Sequence, residues 1–239
     1  MKARAGQVLV VCVVGLVCVA GLVCASCGSH PSTRVLFIGN SFTFINGGID
    51  AQLAQLAPSC ATSRIAVGGY TLEMHWNGGT AVQTIRSGHW TYVVLQEQSQ
   101  LPVLNPTIFR EYATEFNQAI EASGAKTVLL MTWQRPDSVS EGVTTANLAA
   151  AYRSLGAELG VKVAPAGVAF ANALAERPDL VLTSLDGHPT MYGTYLAACV
   201  VYATIFGRSP VGIAYADRSI SPELRDFFQR IAAESLANY

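Results

Sequence analysis

Arg34-Val35-Leu36-Phe37-Ile38, closed by Gly39, is the stretch on which the fold turns. Its apolar side chains follow one another without polar alternation, so neither face of an extended segment is left for solvent. That is the pattern of a strand covered on both sides, as in parallel sheets. Downstream, residues 47–57 place Ile49, Leu53 and Leu56 at helical spacing, and Ser63 to Val67 reads as a second strand ended by Gly68-Gly69. Thr91-Tyr92-Val93-Val94-Leu95 is a third. From Thr107 to Ser123, one helix face carries Phe109, Tyr112, Ala113, Phe116 and Ile120, with Gly124 as its stop. A strand at Thr127 to Thr132, a helix at Thr144 to Leu159 and a strand near Val161 to Pro165 follow. Thr190 to Phe206 makes a largely apolar helix, and Ser221-Pro222-Glu223 opens the last one with an N-cap and a first-turn proline.

Strands alternating with helices predict an α/β fold: a three-layer α/β/α sandwich with a central parallel sheet, flavodoxin-like in topology. No internal repeat and no Gly/Pro/Ser-rich linker divides residues 34–239, which read as a single domain. In such folds ligands bind beyond the carboxyl ends of the strands.

Residues 1–27 read as an export signal rather than as part of that domain. Lys2 and Arg4 precede an uncharged apolar run from Val8 to Val23, about long enough for a signal core and short for a membrane span. Ala25-Ser26 supplies small residues for cleavage, and Cys27 after them is similar to the lipidated cysteine of a bacterial lipoprotein. Cys24 stands where that pattern usually has Leu, so lipoprotein and freely secreted forms both stay open, as does an uncleaved anchor helix. Secreted, periplasmic or lipid-anchored, the chain is expected to leave the cytoplasm, and residues 28–33 then form a short polar linker.

Cys12, Cys18, Cys24 and Cys27 fall in the leader, leaving Cys60 and Cys199 either to pair or to pack as small apolar groups. With Lys2 and Arg4 set aside, the 15 basic residues fall to 13 against 16 acidic ones, near a net charge of −3. No basic run is present, so nucleic acid is not an expected partner. The four histidines, His30 among them, are too scattered for a metal site, and no cofactor is implied.

Four segments fall where strands end. Gly39-Asn40-Ser41-Phe42-Thr43 puts a serine at a strand-to-helix turn, where backbone N–H groups can steady an oxyanion; an ordinary helix N-cap has the same appearance. Late in the chain, Asp186-Gly187-His188-Pro189 brings a histidine, the natural base for a serine hydroxyl, with a carboxylate close enough to set its tautomer. The same four residues also make a turn. Val67-Gly68-Gly69-Tyr70-Thr71-Leu72 and Leu95-Gln96-Glu97-Gln98-Ser99-Gln100 complete the set.

Ser41 after the first strand and His188-Pro189 about 145 residues later resemble the SGNH (GDSL-like) hydrolase superfamily. The likeness is greatest to the bacterial branch whose first block reads G-N-S-F-T. In that branch the last block runs into a helix like Gly193-Thr194-Tyr195-Leu196-Ala197-Ala198, and the resemblance spans residues 34 to about 212. It implies Ser41 as nucleophile and His188 as base, with an oxyanion hole formed by the Ser41 N–H, a glycine of the second block and an amide of the third. The glycine aligns with Gly69. The family's Asn is missing from the third block, where Gln96 is the favoured substitute and Gln98 the next. The family also spaces Asp and His three apart, whereas Asp186 and His188 are two apart. Either Asp186 still reaches, or the site is a Ser–His dyad.

His75, Trp76 and Trp133 fall in segments expected to rim the same strand ends. His75 and Trp133 are candidates for substrate binding, with partial burial as the plainer reading; His89-Trp90 is expected at the opposite end of the sheet. The reading that results is an exported serine esterase, taking a small-molecule or glycan ester and removing short acyl (acetyl) groups from carbohydrate. A membrane enters only through the N-terminal lipid. The rival is a non-catalytic cell-surface protein that keeps the fold and binds a ligand.

Overall fold

The computed structural model describes Met1 and residues 33–239. The leader, the export site, Cys27 and residues 28–32 of the linker lie outside the described residues. In chain order the elements are β1 (Thr33–Gly39), α1 (Ser41–Phe44), α2 (Ile49–Leu56), β2 (Cys60–Ala66), α3 (Leu72–Asn77), α4 (Thr80–Ser87) and β3 (Tyr92–Leu95). There follow α5 (Leu101–Leu104), α6 (Pro106–Ala122), β4 (Lys126–Leu130), α7 (Thr145–Leu159), β5 (Lys162–Ala164), α8 (Ala166–Glu176), α9 (Met191–Phe206) and α10 (Pro222–Ala237).

All five strands run parallel in the order β2-β1-β3-β4-β5, the flavodoxin-like arrangement expected. The opening run of β1 shows why both faces had to be apolar. Val35 and Phe37 join one core with Val94, Val128 and Leu130, covered by α2, α8, α9 and α10. Leu36 and Ile38 point the other way, into a core with Val93, Leu95 and Leu129 beneath α3, α4, α6 and α7. Strand side chains alternate between faces, so a run buried on both sides needs apolar residues at every position.

Helix α9 is buried nearly all round, packed against α2, α8 and α10, which accounts for its apolar composition. Its Cys199 and the Cys60 of β2 are both buried and unpaired, and burial pushes the two thiols up to about 12 and about 11. They pack as small apolar groups rather than as a disulfide. Among the described residues no helix is long and apolar enough to cross a membrane.

Four helices, α3, α4, α5 and α8, were not read from the sequence. The segment of His75 and Trp76, expected as loop, forms α3, and in α4 the buried stripe is Ala81, Val82 and Ile85. In α8, apolar residues are spread round the helix and blur its periodicity. The order 2-1-3-4-5 places the topological switch between β1 and β3, whose last paired residues are Ile38 and Leu95. The candidate residues gather beyond those two strand ends.

Candidate active site

Gly39 ends β1 without a side chain because a Cβ there would come within 2.5 Å of both Gln96 Oε1 and Thr43 Oγ1. Gln96 follows β3 directly and reaches across to the neighbouring strand end. Its Oε1 accepts from Asn40 N (2.9 Å) and Thr43 Oγ1 (2.8 Å), and its Nε2 donates to the Glu97 carbonyl (2.6 Å). Asn40 then caps α1, its Oδ1 accepting from Phe42 N at 3.1 Å and its Nδ2 donating to the Tyr70 carbonyl at 2.9 Å. This network holds Ser41, the first residue of α1, at the mouth of the cleft.

His188 meets Ser41 from the other end of the chain, its Nε2 lying 2.9 Å from Ser41 Oγ. Its Nδ1 is 2.8 Å from Asp186 Oδ2. An ionised carboxylate only accepts, so Nδ1 carries the proton and the Nε2 lone pair faces the serine hydroxyl. The one-residue deficit between Asp186 and His188 is absorbed by Gly187, at φ +83° in the turn. Asp186 therefore reaches, and the dyad alternative is not what the geometry presents. The Ser184 hydroxyl (2.6 Å), with His188 second, holds the Asp186 carboxyl well below the usual carboxylate range.

The turn is braced from behind by Trp133, whose Nε1 donates to the Gly187 carbonyl at 2.9 Å. Trp133 is fully buried, stacked between Phe42 (5.0 Å) and Phe170 (4.2 Å), and Phe42 meets the His188 ring edge-on at 5.3 Å. The expected substrate-binding role of Trp133 is thus corrected: it is core, positioned behind the histidine loop. His75 is corrected likewise. It is buried in α3 and donates from Nε2 to the Gly39 carbonyl (2.7 Å), and burial lowers its pKa from the ordinary histidine value. Trp133 lies on a loop as expected and His75 on a helix instead, and both side chains turn inward. Trp76 packs edge-on against Phe116, and Trp90, at the far end of the sheet, donates to the Thr84 carbonyl.

Ser41, Gly69, Gln98, Ser99, Arg135 and His188 line a cleft of about 380 Å³. Gly69 sits at φ +76° with nothing within 4 Å of where a Cβ would stand, so the left-handed backbone, not crowding, calls for glycine there. The favoured Gln96 is corrected: it is buried with both amide ends engaged, and has no donor to offer the cleft. Gln98 is different. Its Oε1 accepts from Gln100 N (2.8 Å) and Leu101 N (3.1 Å), which leaves the Nε2 amide as its free end. Arg135 and Ser99 escaped the sequence reading because no local pattern separates a cleft residue from a surface one. Arg135 is ion-paired with Asp137, and its stem covers Gly187.

Between Gln96 and Gln98, Glu97 is fully buried. Burial pushes its carboxyl up from 4.5 to about 7, against the lowering effect of the Gln98 and Leu72 N–H groups; Glu73 adds to the rise. The folded chain thus holds a proton that the unfolded chain has lost by neutral pH. The stability this contributes is fully present below about pH 4.5 and is lost as pH rises through about 7, a difference of about 3 kcal/mol. Glu97→Gln should flatten this dependence, read as the difference in Tm between variant and wild type at about pH 5 and about pH 8. An unchanged difference would refute the buried proton.

No family model matches the chain, and no curated protein does. Solved structures match with full probability. A protein of Slackia heliotrinireducens assigned to the SGNH hydrolases is 28% identical over 72% of this chain and 98% of its own, with a TM-score of 0.65. A DUF4886 family protein of Bacteroides uniformis is 16% identical over 86% of this chain and 95% of its own, with a TM-score of 0.67. The lipase/acylhydrolase of Enterococcus faecalis, 16% identical over 74% of this chain and 96% of its own, shares the fold at a TM-score of 0.57. With its five-stranded parallel sheet, this chain has the SGNH hydrolase fold and is similar to the SGNH/GDSL-like hydrolases.

Proposed function

We propose that the protein is a serine esterase that removes short acyl groups, acetyl above all, from carbohydrate. The observation that carries this reading is the continuous path Asp186–His188–Ser41, opening into a cleft that Gly69 and Gln98 face. In the reaction His188 Nε2 takes the Ser41 proton as Oγ attacks the ester carbonyl, and then returns it to the departing alcohol. Water, activated by the same nitrogen, resolves the acyl-enzyme to the free acid. The N–H groups of Ser41 and Gly69, with the Gln98 amide, serve the oxyanion.

The small cleft supports a short acyl group. Its lining, which includes Ser99, Gln98 and Arg135, suits a polar alcohol better than a long aliphatic chain. The apolar leader supports action outside the cytoplasm, by a secreted or lipid-anchored form.

Labelling by a fluorophosphonate, lost on Ser41→Ala, tests the reaction class. A well-folded wild type that does not label would sink it in favour of a binding protein. Acetylated sugars compared with esters of increasing acyl length test the substrate; a preference for long acyl chains would overturn that part. Gln98→Ala is expected to lower kcat by about a hundredfold with KM little changed, because the donor acts on the oxyanion rather than the bound ester. Steady-state kinetics on an acetyl ester decide this, and an unaltered kcat would remove Gln98 from the hole.

A further inference from the structure

One oxygen of Glu97 touches both loops that carry the oxyanion donors. Glu97 Oε1 accepts from Leu72 N at 3.1 Å, at the end of the Gly68-Gly69-Tyr70-Thr71 turn, and from Gln98 N at 2.6 Å. These loops follow β2 and β3, strands that β1 separates in the sheet, so no backbone ladder joins them. Among the described residues, the other carboxyl oxygen, Oε2, is buried without a partner, as is the hydroxyl of Tyr152, a fully buried residue of α7.

A buried carboxyl group with an unmatched oxygen is costly, and an apolar residue of similar size would fill its place more cheaply. What a leucine lacks is an acceptor. The turn beyond Gly69 is held by the Asn40 amide on the Tyr70 carbonyl and, two residues further on, by Glu97 on the Leu72 N–H. Gln98 has its backbone tied by Glu97 and its side-chain oxygen tied by Gln100 and Leu101. Without Glu97 the two loops keep their local bonds and the link through Asn40 and Gln96, but lose the side chain bonded directly to both.

We propose that Glu97 is a positioning residue, a clamp that sets the spacing between the Gly69 turn and the Gln98 amide so that both meet the same oxyanion. This inference rests on the esterase reading above. A misplacement of about 1 Å in such a site costs on the order of a hundredfold.

The test uses the full chain and p-nitrophenyl acetate, with active sites titrated by fluorophosphonate so that rates refer to folded, competent enzyme. Glu97→Leu is expected to lower kcat by about a hundredfold with KM nearly unchanged. Glu97→Gln, whose amide oxygen still accepts both N–H groups, is expected to keep kcat close to wild type. A residue that served stability alone would change Tm and the titrated fraction but not kcat per site.

Leu72 supplies a second route if Glu97→Leu fails to fold. As the first residue of α3 it stands where proline is well tolerated, so Leu72→Pro removes the N–H while leaving Glu97 intact. Leu72→Ala loses the same packing and keeps the N–H. A kcat for Leu72→Pro well below that of Leu72→Ala supports the clamp. Equal kcat in that pair, or a wild-type kcat in Glu97→Leu, overturns it while the esterase reading stands. Wild type that neither labels nor turns over would overturn the esterase reading, and the clamp with it.

Discussion

Ser41→Ala is expected to reduce kcat on an acetyl ester by about 10⁴- to 10⁶-fold and to abolish fluorophosphonate labelling, with Tm almost unchanged. Among the described residues Ser41 Oγ is the hydroxyl in contact with His188 Nε2, and the hydrogen bonds that hold the turn run through Asn40, Thr43 and Gln96 instead. Removing Oγ therefore deletes the proposed nucleophile and leaves its scaffold whole. His188→Ala should cost about as much, because a serine hydroxyl without a base is a poor nucleophile at neutral pH. The double variant should be little worse than either single one, since the two groups act as a unit. Additive losses, or turnover that survives in Ser41→Ala, would mean that the reaction does not pass through this pair.

The second large effect is expected at Asp186, with the direction of substitution reversed from intuition. Asp186→Asn, the isosteric change, should be more damaging than Asp186→Ala. The carboxylate is ionised at any working pH: its pKa is depressed by the Ser184 hydroxyl and His188, so its contribution is present above the ordinary carboxylate range and lost only in strong acid. As an acceptor it fixes the proton on Nδ1. An asparagine amide in the same place can turn its NH₂ toward Nδ1, which moves the imidazole proton to Nε2 and leaves nothing to accept from Ser41. Losses of about a hundredfold to ten-thousandfold follow from such a tautomer switch. Asp186 is largely exposed, its side chain 66% accessible, so in Asp186→Ala water can stand in as the acceptor and the loss should be smaller. Parallel kcat measurements on the two variants decide it, and an alanine variant as slow as the asparagine one would contradict the tautomer argument.

Much of the molecule was legible before any coordinates. The strand at Val35-Leu36-Phe37-Ile38, the amphipathic face from Phe109 to Ile120 and the capped start at Ser221 are local signals, and β1, α6 and α10 are where they were expected. The Ser41 and His188-Pro189 segments were legible as well, because a serine after a buried strand and a histidine ahead of an apolar helix are rare enough together to carry a family resemblance. Where the reading failed, it failed on orientation. His75 and Trp133 were expected at the cleft because their segments end near the right strands, yet both side chains point into the core.

The alternation of strands with the longer helices, the parallel sheet and the candidate pair Ser41 and His188 are legible in short segments, because apolar periodicity and residue chemistry are local properties. Tertiary packing brings Asp186 to His188 across a shortened turn and turns Gln98 rather than Gln96 toward the cleft. It also lets Glu97 join the Gly69 and Gln98 loops. Each of these depends on where the end of one strand stands beside another that is distant along the chain. Gln96 is spent holding Asn40, 56 positions earlier, and Glu97 holds Leu72, 25 positions earlier. Those distances are set by packing two cores against one sheet, and three adjacent polar residues after a strand carry no mark of which way each must turn.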